Sequence, residues 1–364
     1  MSPTTRFLRA IECALICIAA LSACSKNETP SAAPAKIPDV SIMTFNVQNL
    51  FDNIDDAGKD DKAYLPIEAK LDESHIAECN EIPVESWRNE CLELDWSDAA
   101  IDFKLQVLAE TIRQIGGGRG PDIIALQEVE NAAILDRLRT EHLGDSGYLP
   151  AILIEGQDLR GIDVAFLSRL PLAKPAVLHP LRFPEHPDRE KDTRGVIEAT
   201  FELPDGSMLS GFSVHFPAPF HPTEMRVAAY THLAGLRAAI PDDHYVFAAG
   251  DFNTSSTEDE QTGLLQRYAK PHWTIAHELG CGDCKGTNYY ARNDVWSFLD
   301  MILYSPASGK NATWQIRANS VQVANQTPAQ VTPAGTPLRH DPSTRVGVSD
   351  HWPIVLTLEH REKQ

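Results

Sequence analysis

The sequence predicts one α/β domain behind a short export leader, and three observations carry that expectation. Apolar runs of strand length recur along the chain, and several end abruptly in polar residues, as in Tyr245-Val246-Phe247-Ala248-Ala249-Gly250-Asp251-Phe252-Asn253. Segments of helical spacing lie between them, the clearest being Ile101, Leu105, Leu108, Ile112 and Ile115. No internal repeat and no linker-like composition follows residue 38, so residues 39–361 read as one domain of about 320 residues. A hydrophobic content of 43% with 23% charged residues is enough to bury a substantial core.

The elements follow in order. Residues 1–23 hold Arg6 and Arg9 ahead of an apolar segment, Cys13 to Ala23, too short to span a bilayer and of the length of a secretory leader. It ends in Leu21-Ser22-Ala23-Cys24, which resembles the bacterial lipobox. That resemblance implies a lipid on Cys24, an exported lipoprotein and, with Ser25 following, sorting to the outer membrane. Residues 24–38, with prolines at 30, 34 and 38, read as a flexible tether. A first strand begins near Val40 and reaches Asn46. Residues 53–98 are acidic and weakly periodic, and read as an insertion stapled by Cys79 and Cys91 because it lacks a core of its own.

After the helix over 101–115, closed by Gly116-Gly117-Gly118, a strand over Ile123–Gln127 delivers Glu128, and a helix runs from Asn131 to Leu138. Further strands are expected at 151–154, 162–167, 196–201, 208–215, 298–304 and 354–358. A helix is expected after Pro222-Thr223, and a capping box at Ser256-Thr257-Glu258-Asp259. Residues 305–345, rich in Ala, Thr, Asn and Pro, read as a long surface loop.

Export leaves four cysteines in an oxidising compartment, and two local disulfides are expected, Cys79 with Cys91 and Cys281 with Cys284. The Cys-Gly-Asp-Cys pair is also compatible with a redox motif or, with His272 and His277, a zinc site. Net charge is −19, from 32 basic and 51 acidic residues. This excludes nucleic-acid affinity built on a broad basic face, but not turnover at a local cationic site.

The chemistry-bearing residues stand at or near the ends of separate strands: Asn46, Glu128, His215, Asp251 with Asn253, Asp300, and Asp350 with His351. Alternation along a strand puts Asp251 and Asn253 on one face. An oxygen-rich set of this kind suits Mg²⁺, with Mn²⁺ or Ca²⁺ as alternatives, better than zinc. Phosphoester hydrolysis needs what it supplies: a Lewis acid, a positioned water and a proton for the leaving oxygen.

The stretches Thr44–Asp52, Pro121–Asn131, Gly161–Arg169, Gly250–Asn253, Phe298–Leu303 and Ser349–His351 together resemble, in order, the motifs of the endonuclease/exonuclease/phosphatase superfamily, with its deoxyribonuclease-I-like fold. The resemblance implies a four-layer sandwich, two facing, mostly antiparallel β-sheets flanked by helices, with the active site at one end. By position it implies Asn46, Glu128 and Asp350 at the metal, and Asp251 and Asn253 orienting water and phosphate. It places His351 on the phosphate with Asp300 fixing its tautomer, and His215 at the second histidine of the deoxyribonuclease branch. Arg194 and Arg160 fall where an arginine can reach a substrate phosphate. Which histidine is acid and which base stays open at this point.

The expected activity is metal-dependent hydrolysis of phosphodiesters in DNA, RNA or nucleotides, by an enzyme held to a membrane through its lipid. The alternatives are a phosphatase or phospholipase C-type enzyme on lipid, inositol or sugar phosphates, and a non-catalytic lipoprotein binding module. No protein partner is evident.

Overall fold

The computed structural model describes residues 36–361 apart from 282 and 309–311. The expected leader, the expected lipidation site Cys24 and the expected tether up to residue 35 lie outside the described residues. From Ile37 onward the chain forms one compact unit. No helix among the described residues is long and apolar enough to cross a membrane.

Among the described residues, fifteen strands and six α-helices follow one another as β1 (Val40–Leu50), α1 (Glu73–Asn80), α2 (Glu85–Glu93), α3 (Asp98–Ile112), β2 (Ile123–Val129), α4 (Ala132–Arg137), β3 (Ile152–Leu153), β4 (Asp163–Ser168), β5 (Val177–His179), β6 (Val196–Glu202), β7 (Met208–His215), α5 (Thr223–Ala239), β8 (Tyr245–Asp251), α6 (Ser256–Thr262), β9 (Thr274–Ile275), β10 (Asn288–Tyr290), β11 (Val295–Ser297), β12 (Asp300–Ser305), β13 (Trp314–Ile316), β14 (Gln322–Val323) and β15 (Ile354–His360). One sheet has the order β13-β15-β1-β2-β4-β3, with β14 also on β15. The other has the order β5-β6-β7-β8-β12-β9, and β10 and β11 pair apart. In the two large sheets only β1 with β2 and β7 with β8 run parallel.

Period-two alternation builds the layers. Ile42, Ala125, Phe166 and Leu356 of the first sheet meet Phe201, Leu209, Phe247 and Ile302 of the second in the core between the sheets. Phe166 lies edge-on to Phe201 and Phe247 there, with ring centres 5.5 and 6.0 Å apart. The opposite faces carry Met43, Phe45, Ile124 and Leu126, covered by Ile101, Leu105, Leu108 and Ile112 of α3. On the second sheet Phe212, Val246 and Met301 are covered by Met225, Ala229 and Leu233 of α5. The result is the four-layer sandwich that the resemblance implies.

Both disulfides form, Cys79 with Cys91 and Cys281 with Cys284, so the second pair is neither a zinc ligand set nor a free dithiol. The insertion folds as α1 and α2 and leans on the domain through Trp96, which is buried and donates its indole N–H to the Phe51 carbonyl at 3.1 Å.

Three expectations need correction. The stretch 305–345 is not a surface loop throughout, because β13 and β14 pair with β15 and bury Trp314. The N-cap of α6 is Ser255, whose hydroxyl accepts from the Glu258 amide at 3.2 Å, one residue before the expected box. The last strand of the central pair ends at Asp251, so Asn253 lies beyond it with φ 50°, and strand alternation does not align the two side chains.

Candidate active site

The site continues the core between the sheets. The strand faces that contribute Ile42, Ala125, Leu209, Phe247 and Ile302 end, one or more steps of two residues away, in Asn46, Gln127, His215, Asp251 and Asp300. Register then places these polar ends together. His215 pairs with Asp251 across β7 and β8, and Asp300 pairs with Asp251 across β12 and β8. The close approach of β7 and β8 requires Gly250, where a Cβ would stand 1.9 Å from the Val214 carbonyl oxygen.

Glu128 breaks the rule of alternation, which would turn it to the helix layer with Ile124 and Leu126. Its φ of 64° and a register shift between Gln127 and Val129 make a bulge that swings it round. Its Oε1 thereby accepts from Asn46 Nδ2 at 3.3 Å, and its Oε2 accepts from the Asn49 amide at 3.0 Å.

Asp251 is the hub. One of its oxygens, Oδ2, accepts from Asn46 Nδ2 at 3.1 Å and lies 3.5 Å from His215 Nε2 and 4.0 Å from His351 Nε2. The other, Oδ1, accepts from the Asn253 amide at 2.8 Å, and the Asn253 side chain donates to the Phe216 carbonyl at 3.0 Å. His351 Nδ1 is 2.7 Å from Asp300 Oδ2, which fixes the ring's orientation.

The two histidines are held in different protonation states. Burial opposes a charge on His351, but Asp300 first, then Asp251 and Asp350, outweigh it and hold its pKa well above 6.5. His215 has burial, Arg194, Arg160 and His351 all pushing the same way, and its pKa stays well below 6.5. Burial also raises Asp251, against the pull of His351.

The remaining expected residues are placed less directly. Asp350 directs its backbone N–H to Gln48 Oε1 at 3.0 Å, and its carboxylate lies 3.7 Å from Arg339; no described hydrogen bond joins it to Asn46 or Glu128. Arg160 donates to Asn49 Oδ1 at 2.9 Å, beside the Glu128 contact. Arg194 is not a surface arginine: it is 5% exposed and pairs at 2.9 Å with Asp158, itself 2% exposed.

The chain also supplies supports that sequence patterns did not single out. Gln48 Nε2 donates to the His340 carbonyl, and Gln48 Oε1 accepts from the amides of His340 and Asp350. Lys104, fully buried in α3, donates to the Val348 carbonyl at 2.7 Å, and Ser349 donates to the Asn46 carbonyl. Together they hold the segment that presents His351. A lysine inside the apolar stripe of α3 was the one available signal.

The donor set fits a hard divalent cation. Glu128 and Asp251 approach from different sheets onto the same Asn46 amide, and neither is paired with a lysine or arginine among the described residues. Asp251, Asp300 and His351 each bring a ligand atom within 4.8 Å of the others, and Asp300 Oδ1 is buried without a hydrogen-bond partner.

The endonuclease/exonuclease/phosphatase family model matches residues 43–351. No curated protein matches the sequence. Among solved structures, D. rerio TDP2 complexed with a single-strand DNA product superposes with TM-score 0.53 at 16% identity, covering 88% of this chain and 99% of that one. An endonuclease/exonuclease/phosphatase family protein of Bacteroides thetaiotaomicron gives 0.53 at 14% identity, over 90% and 100%. A mannosyl-6-phosphatase of the same organism gives 0.52 at 16% identity, over 88% and 99%. At these identities the likeness is one of fold.

Proposed function

Because the chain belongs to the endonuclease/exonuclease/phosphatase family, we propose that this phosphoesterase site serves a metal-dependent phosphodiesterase of nuclease type, acting on DNA, RNA or nucleotides. The observation that carries the reading is the pair of histidines, one neutral and one charged, both directed at Asp251. Asn46 and Glu128, with Asp350 near them, would hold the cation, which when bound supplies a Lewis acid for the phosphoryl oxygen.

The chain's own residues would do the rest. Asp251 and Asn253 orient water, and the neutral His215 at 3.5 Å from Asp251 is the group able to accept a proton. Charged His351, steadied by Asp300, offers an N–H to the developing negative charge on phosphate. The histidine at 215 favours a diesterase. The TDP2 relative, bound to a DNA product, supports that class, and the mannosyl-6-phosphatase supports a phosphomonoester as second reading.

Purified chain is to be assayed with Mg²⁺, Mn²⁺ or EDTA on plasmid DNA, RNA, a nitrophenyl phosphodiester, sphingomyelin, inositol phosphates and a hexose 6-phosphate. Cleavage of a diester that needs the metal and falls about 10²–10⁴-fold in Asp251→Asn and His351→Ala is expected. Activity confined to monoesters selects the second reading. Activity unchanged by both substitutions removes the site assignment.

A further inference from the structure

A second carboxylate cluster lies outside the catalytic set. Asp56 and Asp61, on the loop after β1, and Glu130, just past β2, each place a carboxylate oxygen within 4.8 Å of the others. Asp61 is 2% exposed and Glu130 3%. The loop folds back on itself so that Asp61 Oδ2 accepts from the Asp56 amide at 2.9 Å, while Glu130 Oε2 accepts from the Asp52 amide and from Asn131 Nδ2.

What the cluster lacks is a counter-charge. Among the described residues no lysine, arginine or histidine is ion-paired with Asp52, Asp55, Asp56, Asp61 or Glu130. Lys59, within the same loop, gives its ammonium to the Asp158 carbonyl instead. Asp61 Oδ1 is sealed from water and has no hydrogen-bond donor at all. Buried carboxylates are stable when paired or ligating a metal, and a buried carboxylate that keeps one oxygen unpartnered beside two other carboxylates has the donor set of an incomplete cation shell.

We propose that Asp56, Asp61 and Glu130 form a structural calcium site that ties the loop after β1 to the end of β2. Oxygens bound to one Ca²⁺ at about 2.3–2.6 Å stand no more than about 5 Å apart, and the cluster meets that limit. Calcium is favoured over magnesium because two of the three ligands, Asp61 and Glu130, are buried, and all three stand on irregular backbone outside the strands. Mg²⁺ holds its waters and demands near-octahedral geometry, whereas Ca²⁺ accepts a varied shell of protein oxygens. Glu130 is two residues past Glu128, so a cation here would also brace the bulge that turns Glu128 to Asn46.

The test uses the full chain carrying Glu128→Gln, which takes the catalytic carboxylate out of metal binding, with calorimetric titration of CaCl₂ and thermal unfolding in EDTA or Ca²⁺. One Ca²⁺ per chain is expected, with a Tm about 5 °C above the EDTA value at about one hundred times Kd. Adding Asp61→Asn removes both effects yet leaves the Tm in EDTA no lower, because an uncompensated buried carboxylate has gone. Asp56→Asn, at a partly exposed position, must do the same and serves if the first variant fails to fold. Absence of Ca²⁺ binding, binding that survives both substitutions, or a shift given by Mg²⁺ and not by Ca²⁺ overturns the proposal.

Discussion

The charges of His351 and His215 are decided by the groups around each ring. His351 keeps a proton because Asp300 sits 2.7 Å from its Nδ1, while for His215 burial first, then the positive charges of Arg194, Arg160 and His351, oppose a proton. His277 is a third case, outside the site. It stacks on Phe298 with ring centres 4.0 Å apart, its Nδ1 is sealed from water without a partner, and burial, with Lys270 adding to it, holds its pKa down to about 4. Above pH 6.5 the ring is neutral in both the folded and the unfolded chain. Between about 6.5 and 4 the unfolded chain takes up the proton and the folded one does not, so stability falls as the solution is acidified. His277 is expected to contribute about 2 kcal/mol to the loss between pH 7.5 and pH 5, and His277→Phe should remove that share. Urea unfolding of both proteins at the two pH values checks this; equal pH slopes would show that the ring is not held neutral.

At the scale of elements, the strands and helices whose apolar residues follow a clean period could be read from sequence. The runs at Ile123–Gln127 and Met208–His215, short apolar stretches buried on both faces, and the stripe of α3 with its period of 3.6 lie where the sequence places them. What escaped was short or irregular. The three residues of β13 and the two of β14 carry no readable alternation, and are strands because β15 offers an edge on that side. Likewise the positive φ of Glu128 and of Asn253 is imposed by tertiary contacts, so sequence named these site residues but not the way they turn. The α1–α2 insertion shows the complementary case, an element stabilised by a bond that spacing did suggest. Cys79 and Cys91 are 12 residues apart, and closing a loop of that length is worth about 3 kcal/mol. The pair Cys79→Ser and Cys91→Ser should therefore lower unfolding free energy by about that amount, measured in urea without reductant. A change below about 0.5 kcal/mol would mean that the insertion unfolds independently of the domain.

For the whole molecule, the acidic balance and the proposed substrate oppose one another. A chain with net charge −19 repels a polyanion at distances beyond any contact with Arg160, Arg339 or the charged His351. That repulsion is screened over a Debye length, about 30 Å at 0.01 M and about 10 Å at 0.1 M ionic strength. Nucleic-acid binders with basic faces lose affinity as salt rises, because their binding releases counterions from the phosphates. Here the long-range term has the opposite sign and the site-level contacts are few, so salt should first help association. With divalent cation held constant, kcat/KM for long DNA is expected to rise about two- to tenfold between 0.01 and 0.1 M monovalent salt, while a nitrophenyl phosphodiester with its single charge should change less than about twofold. Initial rates on both substrates across that range measure the effect. A steep fall for DNA over the same range would instead mean that a local cationic surface overrides the field of the molecule.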